Sequence, residues 1–280
     1  MKQKVALALG SGGARGLAHI GVIEELEKHG FEITSVSGSS MGSLIGGFYA
    51  MGKLKVYADW MCSLKKKDVY SLMDVTLSQN GLLKGERVFN KMKELIPDML
   101  IEEMPIPFSA AATDVITRKE VVFSSGSFYT AARASIAIPA VITPLAAGDL
   151  LFVDGGVLNP VPVNHVKRTD GDILVAVNLY DEPHNSPNHE LENRKVLEGK
   201  KKQSWQKTLH LNVSIEYLQQ KIQELIPKSD KQNQGYLTLL QLTSSMMLTR
   251  ISNLLLELSK PDIIINIPTN SAKTFEFYKA

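Results

Sequence analysis

The pentapeptide Gly38-Ser39-Ser40-Met41-Gly42 places a serine at the centre of a G-x-S-x-G pattern. A short apolar run precedes it and a helical pattern follows it. That context predicts a nucleophile elbow, a sharp strand-to-helix turn whose glycines allow a strained backbone and close approach of a substrate. The N–H of Met41 starts the helix and can donate to an oxyanion. Ser40 is therefore the predicted nucleophile, with Gly38 and Gly42 as its supports. A glycine-rich turn without chemistry is the alternative.

A second glycine-rich segment, Gly10-Ser11-Gly12-Gly13-Ala14-Arg15-Gly16, lies between a predicted strand and a predicted helix. The dinucleotide pattern G-x-G-x-x-G fails because Arg15 stands where its last glycine is needed. The next strand also ends without an acid to hold a ribose. Free N–H groups at a helix start bind any anion, including a tetrahedral oxyanion. With a serine elbow one βα unit later, an oxyanion loop is the simpler interpretation.

A third motif, Asp154-Gly155-Gly156, directly follows the apolar run at residues 150–153. This puts a carboxylate at the C-terminal end of a predicted strand, which is the edge where parallel sheets carry their sites. The two glycines permit a tight turn that holds the carboxylate there. Taken alone, the motif is also compatible with an Asp-Gly turn in a hairpin.

The elements around these motifs alternate between strand and helix patterns. Apolar runs at residues 5–9 and 35–39 predict strands, and each is followed by a helical pattern, at 15–29 and 41–51. This order predicts an α/β fold with a parallel sheet. Further strands are predicted at 108–114, 120–124, 150–153, 173–179 and 263–267, and helices at 128–135 and 163–167.

Composition limits the class of protein. The 280 residues carry a net charge of +2 and are 44% apolar, so we expect one large globular domain and no nucleic-acid partner. A single cysteine, Cys62, fits a reducing compartment and a cytoplasmic location, and its neighbours predict an apolar helix face. No metal-binding motif is present, so we predict neither metal nor cofactor. The longest apolar stretch, 237–258, is interrupted by polar residues and predicts no membrane span.

Residues 181–235 are rich in Asn, Gln, Lys and Glu. We therefore expect a single domain over residues 1–280 with a polar insertion at about 181–235. An amphipathic helix is predicted at 213–226, and the insertion is either a lid or a solvated surface excursion. Lysine runs at 65–67 and 200–202 leave open a peripheral contact with anionic headgroups at the inner membrane face, although such runs are usually just solvated.

Together the three motifs resemble those of patatin-like phospholipases, in particular the bacterial branch of that family. The resemblance is carried by residues 7–19, by Ser-Ile-Ala-Ile-Pro at 135–139 and by Asn-Pro-Val-Pro at 159–162. It covers about residues 4–180 and returns weakly at 260–268. It implies a three-layer α/β/α sandwich with a mostly parallel central sheet.

The resemblance also implies a catalytic dyad, in which Ser40 attacks an ester carbonyl and Asp154 takes its proton. Backbone N–H groups of Gly12, Gly13 and Arg15 would help to hold the oxyanion. The substrate would be a lipid or acyl ester, cleaved by phospholipase A, lysophospholipase or carboxylesterase activity. The family often has glycine where Ser11 stands. A serine there still has an N–H to donate, and its side chain would narrow the site.

Three alternatives remain open at the level of sequence. Ser40, Asp154 and His165 occur in the chain order of a Ser-His-Asp esterase, while His19 is expected to be packed beside the glycine-rich loop. A non-catalytic nucleotide-binding α/β module is the second alternative. An acyltransferase that uses the same acyl-enzyme is the third. The sequence sets neither the oligomeric state nor the natural lipid.

Overall fold

The computed structural model describes residues 2–76, 83–181, 233–272 and 276–277. The strands within these ranges are β1 (Gln3–Leu9), β2 (Phe31–Ser39), β3 (Phe108–Asp114), β4 (Lys119–Phe123), β5 (Leu145–Ala147), β6 (Leu150–Asp154), β7 (Ile173–Asp181) and β8 (Ile263–Pro268). The α-helices are α1 (Ala18–Lys28), α2 (Met41–Ala50), α3 (Leu54–Ser63), α4 (Lys66–Leu72), α5 (Glu86–Leu95), α6 (Phe128–Ser135) and α7 (Asn233–Ser259). Short 3-10 helices lie at Gly13–Leu17, Ile101–Glu103, Gly155–Val157 and Val163–His165.

The strands form one sheet in the order β5-β6-β3-β2-β1-β7-β8, with β4 paired to β3. The neighbours from β3 through β2, β1 and β7 to β8 are parallel, whereas β4, β5 and β6 are antiparallel to their partners. The predicted mostly parallel α/β sheet is therefore confirmed. Its antiparallel end is an addition that the strand–helix alternation did not predict.

Strands β2 and β6 pair with the same edge of β3, and their C-terminal ends meet there. Residues 110 and 111 of β3 pair with β2 and β4 at the same time, and residues 112–114 pair with β4 and β6. Because β4 occupies one edge throughout, β2 and β6 must lie along the other. Ser39, the last residue of β2, pairs with Ala111, and Asp154, the last residue of β6, pairs with Ala112. The C-terminal ends of β2 and β6 therefore face each other.

Both faces of the sheet are covered. Alternate residues of β1 point to opposite sides, because side chains in a strand alternate with period two. Leu7 and Leu9 pack into the large core formed with α1, α2, α3, α5 and α6. Ala8 packs on the other face in a smaller cluster that contains Val161 and Leu256, a residue of α7. Helices thus flank the central sheet as the predicted α/β/α sandwich requires.

Several predicted boundaries were wrong. The helix predicted at 15–29 is a 3-10 helix followed by α1, and the helix predicted at 163–167 is a 3-10 turn of three residues. The strand predicted at 35–39 begins at Phe31. Helices α4 and α5 were not predicted, and of α3 only the helix face around Cys62 was. The stretch 237–258 lies within the single helix α7, and no helix among the described residues is long and apolar enough to cross a membrane.

Contacts divide the chain into two units, residues 1–182 with 248–280, and residues 183–247. The first unit contains the sheet and all eight strands described above. Of the second unit, only 233–247 are described, as part of α7. The polar insertion at 181–235, the helix predicted at 213–226 and the lysines at 200–202 therefore lie almost entirely outside the described residues. The single-domain organisation, with an insertion that is either a lid or a solvated surface excursion, stays a prediction.

Candidate active site

Ser40 occupies a strained turn between β2 and α2. Its φ of 53° and ψ of −123° lie in a region that non-glycine residues rarely adopt. The turn is compact because the flanking glycines let backbones touch. A Cβ at Gly38 would lie 2.4 Å from the carbonyl carbon of Gly42, and one at Gly42 would lie 2.1 Å from the carbonyl oxygen of Leu9. Neither position has room for a side chain.

A second helix supports the backbone of Ser40. The N–H of Ser40 donates to the hydroxyl of Ser135 at 2.9 Å, and that hydroxyl donates to the carbonyl of Ala111 at 2.6 Å. Helix α6 approaches closely enough because Gly47 leaves space for the ring of Phe128, which a Cβ there would meet at 2.0 Å. Sequence reasoning missed this role of Ser135. The residue lies in the quoted Ser-Ile-Ala-Ile-Pro motif, but nothing local indicates a partner 95 positions away.

Asp154 contacts Ser40 directly. The Ser40 hydroxyl donates to Oδ2 of Asp154 at 2.5 Å, just under the 2.6–3.2 Å typical of such pairs. The other carboxylate oxygen, Oδ1, accepts from the N–H of Gly156 at 2.7 Å. A Cβ at Gly155 would lie 2.2 Å from the carbonyl oxygen of Ala111, so this turn also depends on a close backbone approach. The carboxylate is held from both sides and aimed at the hydroxyl.

The electrostatics of the pair are those of a buried base. Ser40 and Asp154 are only 2% and 6% exposed. Burial raises the pKa of Asp154 to about 6, even though the hydrogen bonds from Ser40 and Gly156 favour its charged form. A carboxylate with this pKa is ionised at neutral pH and is a better proton acceptor than one in water.

The glycine-rich loop packs against the elbow. Gly13, with φ of 58°, begins a 3-10 helix. A Cβ at Gly16 would lie 2.4 Å from Cβ of Met41, so the loop and the start of α2 are in contact. Gly12 is equally confined, since a Cβ there would meet Leu179 at 2.6 Å. The glycine-rich loop and the start of α2 therefore lie against each other beside Ser40, and both carry backbone N–H groups at a helix start.

Arg15 and Ser11 make contacts that the sequence did not predict. The Arg15 guanidinium donates to the carbonyls of Gly12 and Thr269, at 3.2 and 2.9 Å, and burial lowers its pKa. The N–H of Ser11 donates to Pro160 at 2.8 Å, so it is already occupied. The Ser11 hydroxyl instead lies 3.1 Å from the hydroxyl of Tyr180. The expectation that Ser11 offers a free N–H was therefore wrong.

The two candidate histidines have other partners. His165 Nε2 lies 2.9 Å from a carboxylate oxygen of Glu120. His19 is fully buried and donates through Nε2 to the carbonyl of Gly10 at 2.8 Å, and burial lowers its pKa to about 4. Within the described part of the chain, neither ring forms a hydrogen bond with Ser40 or Asp154. The contacts that a Ser-His-Asp triad requires are not made there.

Other candidate groups lie apart from this chemistry. Cys62 is exposed on α3, whose buried residues include Tyr57 and Met61, so the predicted apolar setting of this cysteine was wrong. The side chains of Lys65 and Lys67 are also exposed. Across the described ranges, no group of three His, Cys, Asp or Glu side chains is arranged to hold a metal ion.

The fold and the site together define an α/β protein that presents a serine at a strained turn against a buried aspartate. The sequence profile of the patatin-like phospholipase family matches residues 7–167. That is more than half of the 280 residues. The chain therefore belongs to the patatin-like phospholipase family, and the predicted resemblance is confirmed.

Individual relatives cover the same region. An uncharacterized NTE family protein of Mycobacterium tuberculosis is 43% identical over 176 residues, which are 63% of this chain and 49% of that protein. The chain thus spans about half the length of that relative. A lysophospholipase of Scheffersomyces stipitis is 28% identical over 185 residues, which are 63% of this chain and 12% of that protein. The crystal structure of VipD from Legionella pneumophila aligns with a TM-score of 0.42 at 14% identity, over 70% of this chain and 53% of that one.

Proposed function

We propose that the protein is a serine acyl hydrolase that cleaves lipid acyl esters through an acyl-Ser40 intermediate, with Asp154 as the base. The observation that carries the proposal is the 2.5 Å hydrogen bond from the Ser40 hydroxyl to a buried carboxylate. A serine hydroxyl is a weak nucleophile until an adjacent base accepts its proton. Family membership supports the same general activity.

The reaction follows from this contact. As Ser40 Oγ bonds to the ester carbonyl carbon, its proton passes to Oδ2 of Asp154. The tetrahedral intermediate collapses, the bond to the leaving alcohol breaks, and Asp154 returns the proton to that alcohol. In the second half, Asp154 takes a proton from a water molecule that attacks the acyl carbonyl. The second tetrahedral intermediate collapses, the bond from the acyl carbon to Ser40 Oγ breaks, and Asp154 returns the proton to Oγ. The fatty acid leaves, and the Ser40 hydroxyl and the Asp154 carboxylate are restored.

The negative charge that develops on the carbonyl oxygen needs donors. We assign this role to backbone N–H groups of the glycine-rich loop and of the start of α2, namely those of Gly12, Gly13, Arg15 and Met41. The N–H groups of Ser11 and Ser40 are not included, because they donate to Pro160 and Ser135. Loss of one oxyanion donor costs about 2.7–4 kcal/mol of transition-state stabilisation.

The substrate class is a lipid or simpler acyl ester. Phospholipase A, lysophospholipase and carboxylesterase activities share this mechanism and differ only in the leaving group. A relative from Scheffersomyces stipitis is named a lysophospholipase, which favours a lysophospholipid for the first assay. An acyltransferase remains the second candidate, because water and an acceptor alcohol compete for the same acyl-enzyme.

Labelling with a fluorophosphonate tests the nucleophile. The wild-type protein should become covalently labelled at Ser40 and should hydrolyse short soluble acyl esters, whereas Ser40→Ala should do neither. Ser39→Ala is the matched control, since the Ser39 hydroxyl is buried next to the site and has no hydrogen-bond partner among the described residues. Labelling of a folded Ser40→Ala protein at wild-type rate would remove Ser40 from the mechanism.

A further inference from the structure

The turn between β3 and β4 has an unusual composition. It consists of Val115, Ile116, Thr117 and Arg118, and it lacks the Gly, Pro, Asn, Asp and Ser residues that usually form turns. Val115 and Ile116 are 40% and 61% exposed. Arg118 takes the left-handed conformation, with φ of 58°, which disfavours residues other than glycine. In the neighbouring β5–β6 turn, Gly148 takes that conformation instead.

The turn is nevertheless held by several hydrogen bonds to one carboxylate. The carboxylate of Asp114 accepts from the N–H groups of Ile116 and Thr117, at 3.2 and 3.0 Å, and from the Thr117 hydroxyl at 2.5 Å. It also accepts from the N–H of Leu151 in β6 at 3.0 Å. These bonds, that of the Thr117 hydroxyl foremost, lower the pKa of Asp114 to about 2. Two exposed apolar side chains are thus fixed on the end of the sheet.

Further exposed apolar residues lie next to this turn. The N–H of Val115 donates to Leu151 at 3.0 Å, which places the turn beside the start of β6. The Asn159 amide donates to Glu120 of β4 at 2.8 Å, which places the segment after Gly156 beside the same hairpin. We call the exposed apolar residues of these three segments the apolar rim: Val115, Ile116, Leu150, Val157 and Leu158.

The apolar rim lies near the Ser40–Asp154 pair, and positively charged residues lie beside it. Ala112, which pairs with Asp154, precedes Ile116 by four residues, a separation of at most about 13 Å along a strand. Arg118 and Lys119 are exposed at the hairpin, and neither forms an ion pair with another described residue. The exposed acid in the neighbouring β5–β6 turn is Asp149. The exposed side chains of the two turns therefore have a positive net charge.

We propose that the apolar rim docks this protein onto an anionic lipid bilayer. The proposal rests on the proposed function, since a hydrolase of lipid esters meets its substrate at a lipid surface. Val115 and Ile116 enter the boundary between headgroups and acyl chains, and Arg118 and Lys119 contact anionic headgroups. Docking in this way brings the Ser40–Asp154 pair within reach of a lipid at the surface.

Sedimentation with lipid vesicles tests the docking without catalysis. The full chain carrying Ser40→Ala is mixed with vesicles of phosphatidylcholine alone or with 30% phosphatidylglycerol. We expect Ile116→Glu to weaken partitioning into the mixed vesicles by about tenfold or more, because it replaces an apolar group that would enter the bilayer with a charge. The control Val56→Glu changes another exposed β-branched residue, 43% exposed, on α3 and should have no effect.

The charge contribution is tested separately. Arg118→Asn tolerates the left-handed backbone, and it should weaken binding to the mixed vesicles by about fivefold, as one cation does near an anionic surface. Lys119→Gln should do the same. Binding to phosphatidylcholine alone should change little in either variant. Ile116→Ser serves as a second apolar variant in case Ile116→Glu does not fold.

The outcomes separate the docking from the proposed function. Hydrolysis of a short soluble ester should be the same for Ile116→Glu and wild type, since the rim does not contact the reacting groups. If proteins with and without Ile116→Glu bound the vesicles equally, the docking proposal would be overturned and the hydrolase assignment would stay intact. A protein that hydrolyses no ester but loses vesicle binding on Ile116→Glu would overturn the proposed function alone.

Discussion

The turns that carry Ser40 and Asp154 end two strands on the same edge of β3, and they are built in different ways. The Ser40 turn is defined locally, by a positive φ and by two glycines within four residues of each other. The Asp154 turn has ordinary backbone angles, and its position depends on the pairing of β6 with β3 and on the N–H of Gly156. The conformation of the nucleophile therefore depends mainly on residues close to it in sequence, whereas the position of the base depends on residues distant in sequence.

Removing either side chain should have the largest effect. If Asp154 is the base itself, Asp154→Asn should reduce kcat by about 10⁴-fold, close to the effect of Ser40→Ala. Both proteins should stay folded, since each change keeps nearly the same volume. Rates with a soluble ester, together with circular dichroism, provide the measurement.

The histidines are the matched controls for this loss. His165→Ala should reduce kcat by less than tenfold, because the ring contacts Glu120 rather than the Ser40–Asp154 pair. If His165→Ala were as inactive as Ser40→Ala, the dyad mechanism would be wrong and a Ser-His-Asp triad would be favoured.

Ionisation of Asp154 should make activity and stability depend on pH in opposite directions. Because only ionised Asp154 accepts a proton, kcat/KM should fall about tenfold per pH unit below pH 6. Stability should change in the opposite sense. The pKa of Asp154 in the folded protein lies above the ordinary 3.8, so the folded state binds the proton more tightly than the unfolded state does. Protonation of Asp154 therefore adds to the free energy of unfolding, and this stabilisation is complete below about pH 4. It is lost as pH rises through 6 and amounts to about 3 kcal/mol.

Asp154→Asn should remove this pH dependence of stability, whereas Ser40→Ala should retain it. Urea unfolding of both variants between pH 4 and 8 measures the difference. An acid limb of kcat/KM near pH 4 in the wild type would contradict the effect of burial on Asp154.

Adding one methyl group to the elbow should destabilise the fold. Gly42→Ala would place Cβ 2.1 Å from the carbonyl oxygen of Leu9, and overpacking of this kind costs about 3 kcal/mol. Gly21→Ala is the control, because nothing lies within 4 Å of its Cβ position in α1. It should stabilise the protein by about 0.5–1 kcal/mol. Thermal unfolding compares the two, and equal melting temperatures would show that the elbow has more room than this.

The smallest effect is expected from the support behind the elbow. Ser135→Ala removes the acceptor of the Ser40 N–H and leaves that buried donor unpaired. We expect a loss of about 1–3 kcal/mol in stability and a decrease in kcat with KM nearly unchanged. A lower KM with normal kcat would show that Ser135 acts on substrate binding instead.

Much of the fold could be read from hydrophobic patterns. Strand β3 and helix α6 have the predicted bounds, and the first two βα units were predicted in type and order. Helix α5 was missed although its sequence carries a helical signal. Phe89 and Met92, its buried residues, lie three positions apart, and Leu95 follows three positions later. This spacing puts the three side chains on one helix face and could have predicted the helix.

The sequence by itself determined the elbow at Ser40, because a serine between two close glycines after an apolar run has a local physical meaning. It also determined that Asp154 ends a strand. Only the tertiary structure decided that β6 runs antiparallel along the same edge of β3 as β2, which brings Asp154 to the Ser40 hydroxyl. It also decided the support from Ser135 and the burial that raises the pKa of Asp154. These features depend on contacts between segments about 95 to 114 residues apart, and no local pattern encodes such pairings.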